Sequence, residues 1–265
     1  MPVISVIMGV YNVKSEEMAE MSILSVLNQT FRDFEFIICD DGSDNDTENI
    51  IKKIVKDDTR VKFIKNETNK GLAFTLNHCL KYASGEYIAR MDIDDYSYPE
   101  RFERQLEYMK KNKTVSFCGT WAELFDDSGV WGVRKRPIRP TKQDLLFGPT
   151  VIHPTLMIKR QVLQESGCYK TGWGTTRAED YELFMRLYAK GFSAGNIPVC
   201  LYKFREDEDA YSRRSYKFRI KEAYIRLIGF ASLKLYPIGF IYVLKPLIVG
   251  LIPQSILRKM RKEDN

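Results

Sequence analysis

Short apolar runs alternate with stretches of helical periodicity over roughly the first 100 residues of the chain. The runs are rich in β-branched side chains and predict buried strands. They are Val3–Met8, Glu35–Cys39, Val61–Ile64 and Tyr87–Met91. Helical patterns follow Ser15, the cap-forming Asp44–Asp46 cluster and Gly71. Strands that alternate with helices predict an α/β fold with a mainly parallel sheet flanked by helices.

The second part of the chain is less regular. A helix is predicted from Pro99 to about Lys111, and a clear apolar stripe predicts another over Ala178–Lys190. Residues 126–140 are rich in Gly, Pro and Asp and are predicted as a loop. The remaining apolar runs are predicted strands, namely Val115–Cys118, Trp121–Phe125, Thr155–Ile158 and Ser193–Tyr202.

The composition is that of a folded globular protein, with 265 residues, 44% apolar and 29% charged. The net charge of +6 comes from the end of the chain, because residues 203–265 hold 14 basic and 7 acidic side chains. The five cysteines have no paired spacing and are expected to be free, buried thiols in a reducing compartment. The first apolar run follows no basic segment, so a signal peptide is not expected. The expected location is cytoplasmic.

Polar residues follow three of the predicted strands. Gly9, Tyr11 and Asn12 come after the first strand, Asp40–Ser43 after the second, and Asp92–Asp95 after the fourth. In an open α/β sheet, ligands bind beyond the carboxyl ends of the strands. These residues are therefore the candidate site.

Asp92, Asp94 and Asp95 are the candidate metal ligands. Carboxylates at the end of a strand suit Mg²⁺ or Mn²⁺, which also takes phosphate oxygens of a substrate. An acidic turn without a metal is the alternative. For the Asp40–Ser43 turn the alternatives are a contact with a nucleotide and a helix cap formed by Ser43 or Asp44.

Seven segments in this order and spacing resemble the family-2 inverting glycosyltransferases of the GT-A fold. They are ISVIMGVYN (4–12), SVLNQTF (25–31), DDGSDNDT (40–47), NKGLAFTLN (69–77), GEYIARMDIDD (85–95), PERF (99–102) and AEDYELFMRL (178–187). The resemblance covers residues 3–200. It implies a GT-A domain over 1–204, with a nucleotide-binding half (1–98), an acceptor-binding half (99–204) and a helical tail (205–265).

The resemblance also implies roles for individual residues in binding a nucleotide-sugar donor. Gly9, Tyr11, Asn12, Asp41 and Asp92 would line the nucleotide site. Asp94 would be the direct ligand of Mn²⁺ or Mg²⁺, whereas Asp95 would hold the loop or touch the donor sugar.

The acidic pair Glu179–Asp180 stands where the family has its catalytic base, and Asp180 is the expected base. Stabilisation of the helix dipole is the alternative for Asp180. Trp173 is expected either to stack on an acceptor sugar or to anchor its loop as a buried indole. Arg101 is a candidate partner of the acidic loop, Asp92–Asp95. His153 is expected to be a packed core residue, with a place in the site or near the metal as the alternative.

Lys70 and Arg90 are candidates for offsetting phosphate charge, with solvated or structural roles as the alternative. The tail carries an apolar stretch, Leu235–Pro253, interrupted by two prolines and Lys245 and flanked by basic residues. This pattern favours docking on an anionic membrane surface over a helix pair that covers the core or forms a dimer. Nucleic-acid binding lacks a recognition motif.

The expected function is therefore transfer of a sugar, from UDP in most such enzymes, to a glycan or lipid-linked acceptor at the inner face of the membrane. A nucleotidyltransferase would need a glycine-rich phosphate loop, which the sequence lacks. A non-catalytic scaffold would leave the crowded carboxylates without a purpose.

Overall fold

The computed structural model describes residues 1–206 and 216–251. Within them, nine strands form one sheet. The strands are β1 (Ile4–Val10), β2 (Phe34–Asp40), β3 (Val61–Lys65), β4 (Tyr87–Met91), β5 (Tyr96–Ser97), β6 (Phe117–Asp126), β7 (Gly129–Arg134), β8 (Met157–Lys159) and β9 (Ala194–Arg205). Their order is β3-β2-β1-β4-β8-β6-β9-β5, with β7 paired to β6.

Eight α-helices accompany the sheet in the described part of the chain. They are α1 (Glu16–Leu27), α2 (Thr47–Val55), α3 (Leu72–Leu80), α4 (Arg101–Lys111), α5 (Arg160–Ser166), α6 (Glu179–Ala189), α7 (Tyr216–Ser232) and α8 (Gly239–Val249). Short 3₁₀ turns occupy Lys142–Leu146 and His153–Thr155.

The first half follows the predicted alternation of strands and helices. β1 to β4 are parallel, so their carboxyl ends meet at one edge of the sheet. The Ser15 hydroxyl caps α1 by accepting a hydrogen bond from Met18 N over 3.2 Å. Asp46 is the N-cap residue of α2, but its side chain makes no capping bond and accepts instead from Asn49 Nδ2.

The second half differs from the prediction in several places. The two strands expected at Val115–Cys118 and Trp121–Phe125 are one strand, β6, because its partner β9 accommodates irregularities in register after Thr120. The segment predicted as a loop contains β7, which forms a hairpin with β6. The strand predicted from Thr155 begins at Met157, after a 3₁₀ turn that contains Pro154. The pattern did not predict β5 or α5.

Apolar side chains cover both faces of the sheet. On β1, Ile4, Val6 and Met8 join the core on one face, and Ile7 joins the core on the other. This alternation is the period of two expected of a strand. The second core includes Phe230 of α7, so the tail helices pack against the body of the protein.

The five cysteines are unpaired. Cys39, Cys79 and Cys118 are buried as expected, but Cys168 and Cys200 are partly exposed. Among the helices of residues 1–206 and 216–251, none has the length and hydropathy needed to span a bilayer.

Candidate active site

The turn after β2 is held by its own side chains. Asp40 Oδ1 accepts hydrogen bonds from Ser43 N over 3.0 Å and from Ser43 Oγ over 2.6 Å. Ser43 Oγ in turn accepts from Asn12 N over 2.9 Å. A Cβ on Gly42 would lie 2.5 Å from the carbonyl carbon of Thr68, so only glycine fits there. Ser43 therefore ties this turn to the end of β1, and neither Ser43 nor Asp44 is the N-cap of α2 as the alternative proposed.

Asp41 is buried beneath the loop that leads to α3. Its Oδ1 accepts from Asn66 Nδ2 over 2.8 Å and from Lys70 N over 2.9 Å, and its Oδ2 accepts from Gly71 N over 2.8 Å. A carboxylate has about four acceptor positions, so Asp41 retains capacity for one more donor. Lys70 takes part here through its backbone amide.

The other predicted nucleotide-binding residues lie beside this turn. Tyr11 is 47% exposed, although it directly follows a buried strand. A Cβ on Gly9 would approach Leu72 and Thr75 of α3 to 3.2 and 3.1 Å, so a larger residue would press on that helix. The carboxyl edge of β1 and β2 thus combines an exposed tyrosine with a turn that buried aspartates hold in place.

Asp92, Asp94 and Asp95 come together after β4. One carboxylate oxygen from each lies within 4.8 Å of the other two. Asp95 Oδ1 accepts from Arg205 N over 2.7 Å, whereas Asp95 Oδ2 is buried and has no hydrogen-bond partner. Burial, followed by the charges of Asp94 and Asp92, raises the pKa of Asp95 well above its usual value. Three hard oxygen donors that repel one another fit a divalent cation such as Mg²⁺ or Mn²⁺.

Two buried arginines support the acidic loop. Arg90 forms an ion pair with Asp92 through its Nη1. It therefore has a structural role, because it holds the Asp92 carboxylate in place. Arg101 does not form the expected ion pair with the acidic loop. Its Nη2 donates to the carbonyl oxygens of Arg90 and Pro154, over 2.8 and 3.0 Å, because these carbonyls meet inside the core beside α4. Arg101 therefore holds the end of β4 in position from within the core.

Glu179 and Asp180 begin α6 and are half-buried. Burial raises the pKa of Asp180, and a hydrogen bond from Tyr181 N and the charge of Arg90 oppose that rise. Burial and the charge of Asp180 raise the pKa of Glu179 to about 7. Because Arg90 acts on this pair and also binds Asp92, the acidic loop and the start of α6 belong to one electrostatic unit.

His153 is packed and also borders the site. Its Nε2 lies 2.9 Å from Tyr169 Oη, and its ring packs edge-on against Tyr169 and Phe184. Burial, with the charge of Arg90, lowers its pKa well below the usual value, so the imidazole is neutral at pH 7.

Trp173 is 64% exposed, so it does not anchor its loop as a buried indole. Its ring meets Tyr224 of α7 edge-on at 6.0 Å, and Lys221 Nζ lies 5.5 Å from the ring centre. The indole face is accessible beside the tail helices.

A cavity of about 690 Å³ opens in front of Asp180. His153, Pro154 and Glu206 line it together with three consecutive basic residues, Arg134 to Arg136. These cations were not among the site residues predicted from the sequence. The signal was the run RKRP at the end of a segment that was predicted only as a loop.

The family model and the relatives that match this chain are those of glycosyltransferases. The model for "Glycosyl transferase family 2" matches residues 5–167. "Putative glycosyltransferase EpsE" of Bacillus subtilis (strain 168) is 38% identical over 263 residues, which are 99% of this chain and 94% of EpsE. The Escherichia coli enzyme "UDP-Glc:alpha-D-GlcNAc-diphosphoundecaprenol beta-1,3-glucosyltransferase WfaP" is 30% identical over 223 residues, 84% of this chain and 85% of WfaP.

Two solved structures share the fold. Residues 1–349 of TarS from S. aureus, in complex with UDP-GlcNAc, match with a TM-score of 0.69 at 20% identity over 84% of this chain. That match spans 65% of the TarS fragment. The mannosyltransferase PcManGT of Pyrobaculum calidifontis, in complex with GDP-Man and Mn²⁺, matches with a TM-score of 0.63 at 17% identity, over 98% of this chain and 79% of PcManGT.

The family match covers more than half of the chain, and the relative EpsE aligns over nearly all of it. The sheet order and the structural neighbours show the GT-A architecture. This chain belongs to glycosyl transferase family 2 and has the GT-A fold.

Proposed function

We propose that this protein is an inverting, metal-dependent glycosyltransferase that moves a hexose or N-acetylhexosamine from a nucleotide diphosphate, UDP in the first instance, to a hydroxyl of a lipid-linked glycan. The observation that carries the proposal is the meeting of Asp92, Asp94 and Asp95 at the strand edge that also holds the Asp41 turn. UDP-GlcNAc bound to TarS and the UDP-glucose named for WfaP support a UDP-linked donor.

The nucleotide would lie on the edge of β1 and β2. Tyr11 offers an exposed ring, Gly9 and Asn12 a fixed backbone, and Asp41 one remaining acceptor for a base N–H. Asp92 would contact the ribose from the next strand.

Asp94, with Asp92 and Asp95 beside it, would hold Mn²⁺ or Mg²⁺. When bound, such a cation offsets the negative charge that develops on a departing diphosphate. The Mn²⁺ in the PcManGT complex supports this assignment.

Asp180 would act as the base. The acceptor hydroxyl loses its proton to Asp180 as its oxygen attacks C1 of the sugar, and the bond from C1 to the diphosphate oxygen breaks on the opposite face, with its electrons leaving on the nucleotide. The raised pKa of Asp180 makes the carboxylate a stronger base than an exposed aspartate. Attack opposite the leaving group inverts the configuration at C1.

The tail helices would bring the enzyme to a membrane surface. α7 exposes apolar side chains at helical spacing along one face, and α8 does the same. They are Tyr216, Ile220, Tyr224, Leu227 and Ile228 on α7, and Ile241, Leu244 and Ile248 on α8. Exposed Lys217, Lys234 and Lys245 accompany them. An apolar face with lysines around it suits an anionic lipid surface at the cytoplasmic side, where a lipid-linked acceptor in surface-polysaccharide synthesis would be presented.

A thermal-shift titration of the full chain with UDP, GDP, CDP and TDP, each with and without Mn²⁺, tests the donor site. A ligand at 100 times its Kd adds about 2.7 kcal/mol to the folded state. We expect a rise in Tm with UDP that requires Mn²⁺ and disappears in Asp94→Asn. The Asp44→Asn variant, an exposed change in the neighbouring turn, is the matched control. A wild-type protein that responds to none of the nucleotides would contradict the proposal.

A further inference from the structure

Asp41 belongs to a network of three polar side chains, Asp41, Asn66 and His78, here called the Asp41 network. They come from the turn after β2, the residue that follows β3, and the last turn of α3. His78 Nδ1 lies 2.7 Å from Asn66 Oδ1, and Asn66 Nδ2 donates to Asp41 Oδ1 over 2.8 Å. Asn66 is buried, whereas His78 is partly exposed. Neither of them was predicted as a site residue.

The surrounding acceptors fix the orientation of the Asn66 amide. Its Nδ2 faces Asp41 Oδ1 at 2.8 Å and Thr75 Oγ1 at 3.1 Å. The Thr75 hydroxyl donates its own hydrogen to Gly71 O, so its oxygen is free to accept. The reverse orientation would place the amide oxygen against the Asp41 carboxylate, where two acceptors repel each other. Asn66 Oδ1 therefore faces His78.

This orientation determines which ring nitrogen of His78 carries a proton. Asn66 Oδ1 can only accept, so His78 Nδ1 is the donor over the 2.7 Å that separates them. The Cys39 thiol also approaches Nδ1, but at 3.7 Å it is the weaker partner. Burial, with the charge of Lys81, lowers the pKa of His78 below its ordinary value, so the imidazole is neutral at pH 8. His78 is therefore the Nδ1–H tautomer.

The Asp41 network gives the Asp41 carboxylate one orientation. The backbone amides of Lys70 and Gly71 bind one oxygen each, and Asn66 Nδ2 adds a third donor on Oδ1 from the end of β3. An Asn66 amide without the bond from His78 would lose the partner of its oxygen, and the restraint on its rotation would weaken. His78 thus acts on Asp41 through Asn66, without touching Asp41 itself.

We propose that His78 and Asn66 are positioning residues for recognition of the nucleobase, because they fix Asp41 so that its remaining acceptor position meets the N3–H of uracil. The inference rests on the proposed function, since it takes Asp41 as the contact of the base. Uracil has an N–H at N3, whereas cytosine has only an acceptor there. A fixed, buried acceptor rejects a ligand that lacks the matching donor, so the network would favour UDP over CDP.

Nitrogen NMR of the ligand-free full chain tests the network before any nucleotide is added. The protein has two histidines, so comparison with the spectrum of His78→Asn identifies the ring signals of His78 by difference. We expect the Nδ1–H tautomer at pH 8. The Nε2–H tautomer would turn Nδ1 into an acceptor that faces the acceptor oxygen of Asn66, and it would overturn the proposal.

Calorimetry with UDP and with CDP, each in the presence of Mn²⁺, tests what the network does. His78→Leu removes the donor, whereas His78→Asn keeps an N–H near the position of Nδ1, because both nitrogens are bonded to Cγ. We expect His78→Leu to bind UDP about three- to tenfold more weakly and to prefer UDP over CDP less than the wild type does. His78→Asn should bind as the wild type does. Lys81→Gln, an exposed change three residues further on, is the matched control.

The outcomes separate this proposal from the proposed function. If the wild type binds UDP and His78→Leu binds it equally well, the positioning role is wrong and the enzyme assignment stands. Equal weakening of UDP and CDP binding in His78→Leu, without rescue by His78→Asn, would show a role in folding alone and would also overturn the proposal. A wild type that binds neither nucleotide contradicts the proposed function, and the role in base recognition is then wrong with it, whatever tautomer His78 adopts.

Discussion

The backbone amide of Gly71 donates a hydrogen bond of 2.8 Å to Asp41 Oδ2 and so joins the loop before α3 to the turn after β2. Gly71 has a φ of 86°, which a residue with a side chain rarely adopts. Asp41 thus stabilises the loop with the same carboxylate that is proposed to meet the nucleotide.

Asp41→Asn tests this double role. In the asparagine, an NH₂ group replaces one of the two carboxylate oxygens, which accept from the backbone N–H groups of Lys70 and Gly71. Whichever oxygen is replaced, at least one of these backbone donors loses its acceptor. We expect the free energy of unfolding to fall by about 1–3 kcal/mol and UDP affinity to fall with it. Urea denaturation and calorimetry measure the two effects. Asp44→Asn should change neither, and an Asp41→Asn variant of wild-type stability would contradict the assigned contacts.

Asp180→Asn tests the proposed base. Removing a general base typically lowers the rate by about 10²–10⁴-fold, so we expect a fall of that size in kcat. The Mn²⁺-dependent rise in Tm with UDP should remain, because Asp180 lies outside the acidic loop. Glu165→Gln, an exposed change on α5, is the control. Loss of stability with full activity would show that Asp180 serves only the helix dipole.

Glu179 makes stability depend on pH. Its pKa is about 7 in the folded state, against 4.5 for an unperturbed glutamate, so the folded protein holds this proton more tightly than the unfolded chain. A carboxyl with a raised pKa contributes stability at low pH, and that contribution is lost as the pH rises from about 4.5 through 7. The protein at pH 8 therefore carries a destabilising charge at this position.

We accordingly expect Glu179→Gln to raise the free energy of unfolding at pH 8, by up to about 3 kcal/mol at roughly 1.36 kcal/mol per pKa unit. The gain should shrink towards pH 5. Urea denaturation at both pH values measures it, with Glu20→Gln, an exposed residue of α1, as control. A gain of the same size at both pH values would show that burial of the charge is not the cause.

The proposed membrane contact would depend on apolar side chains that the fold leaves exposed. Ile228→Gln/Leu244→Gln removes two of them, one from each tail helix. Since burying an aliphatic side chain contributes about 1.5–3 kcal/mol, we expect at least tenfold weaker binding to vesicles with anionic lipid in a sedimentation assay. Leu24→Gln, exposed on α1, should bind as the wild type does. Unchanged binding by the double variant would exclude this face as the contact.

Much of this protein could be predicted because the signals are local. A period of two or an unbroken apolar run marks β1 to β4, and a period near four marks the helices, so the parallel half needed no knowledge of distant residues. The end of each strand follows from the same patterns, which is why the Asp41 turn and the Asp92–Asp95 loop could be named as neighbours in advance.

Tertiary structure decided what depends on residues far apart in the chain. β6 is continuous because β9, almost 80 residues later, pairs along it. Arg101 turns to the carbonyls of Arg90 and Pro154 because the fold brings these carbonyls together. Lys135 and Arg136 line the same cavity as Asp180, about 45 residues later in the chain, and bonds from Trp121 to Arg136 O and from Asn196 to Pro137 O hold the backbone of that segment. The local pattern of apolar residues is predictive because each helix or strand is stabilised by burying one of its faces. The geometry of a site is different, because buried polar groups must find hydrogen-bond partners on elements that are distant in the sequence.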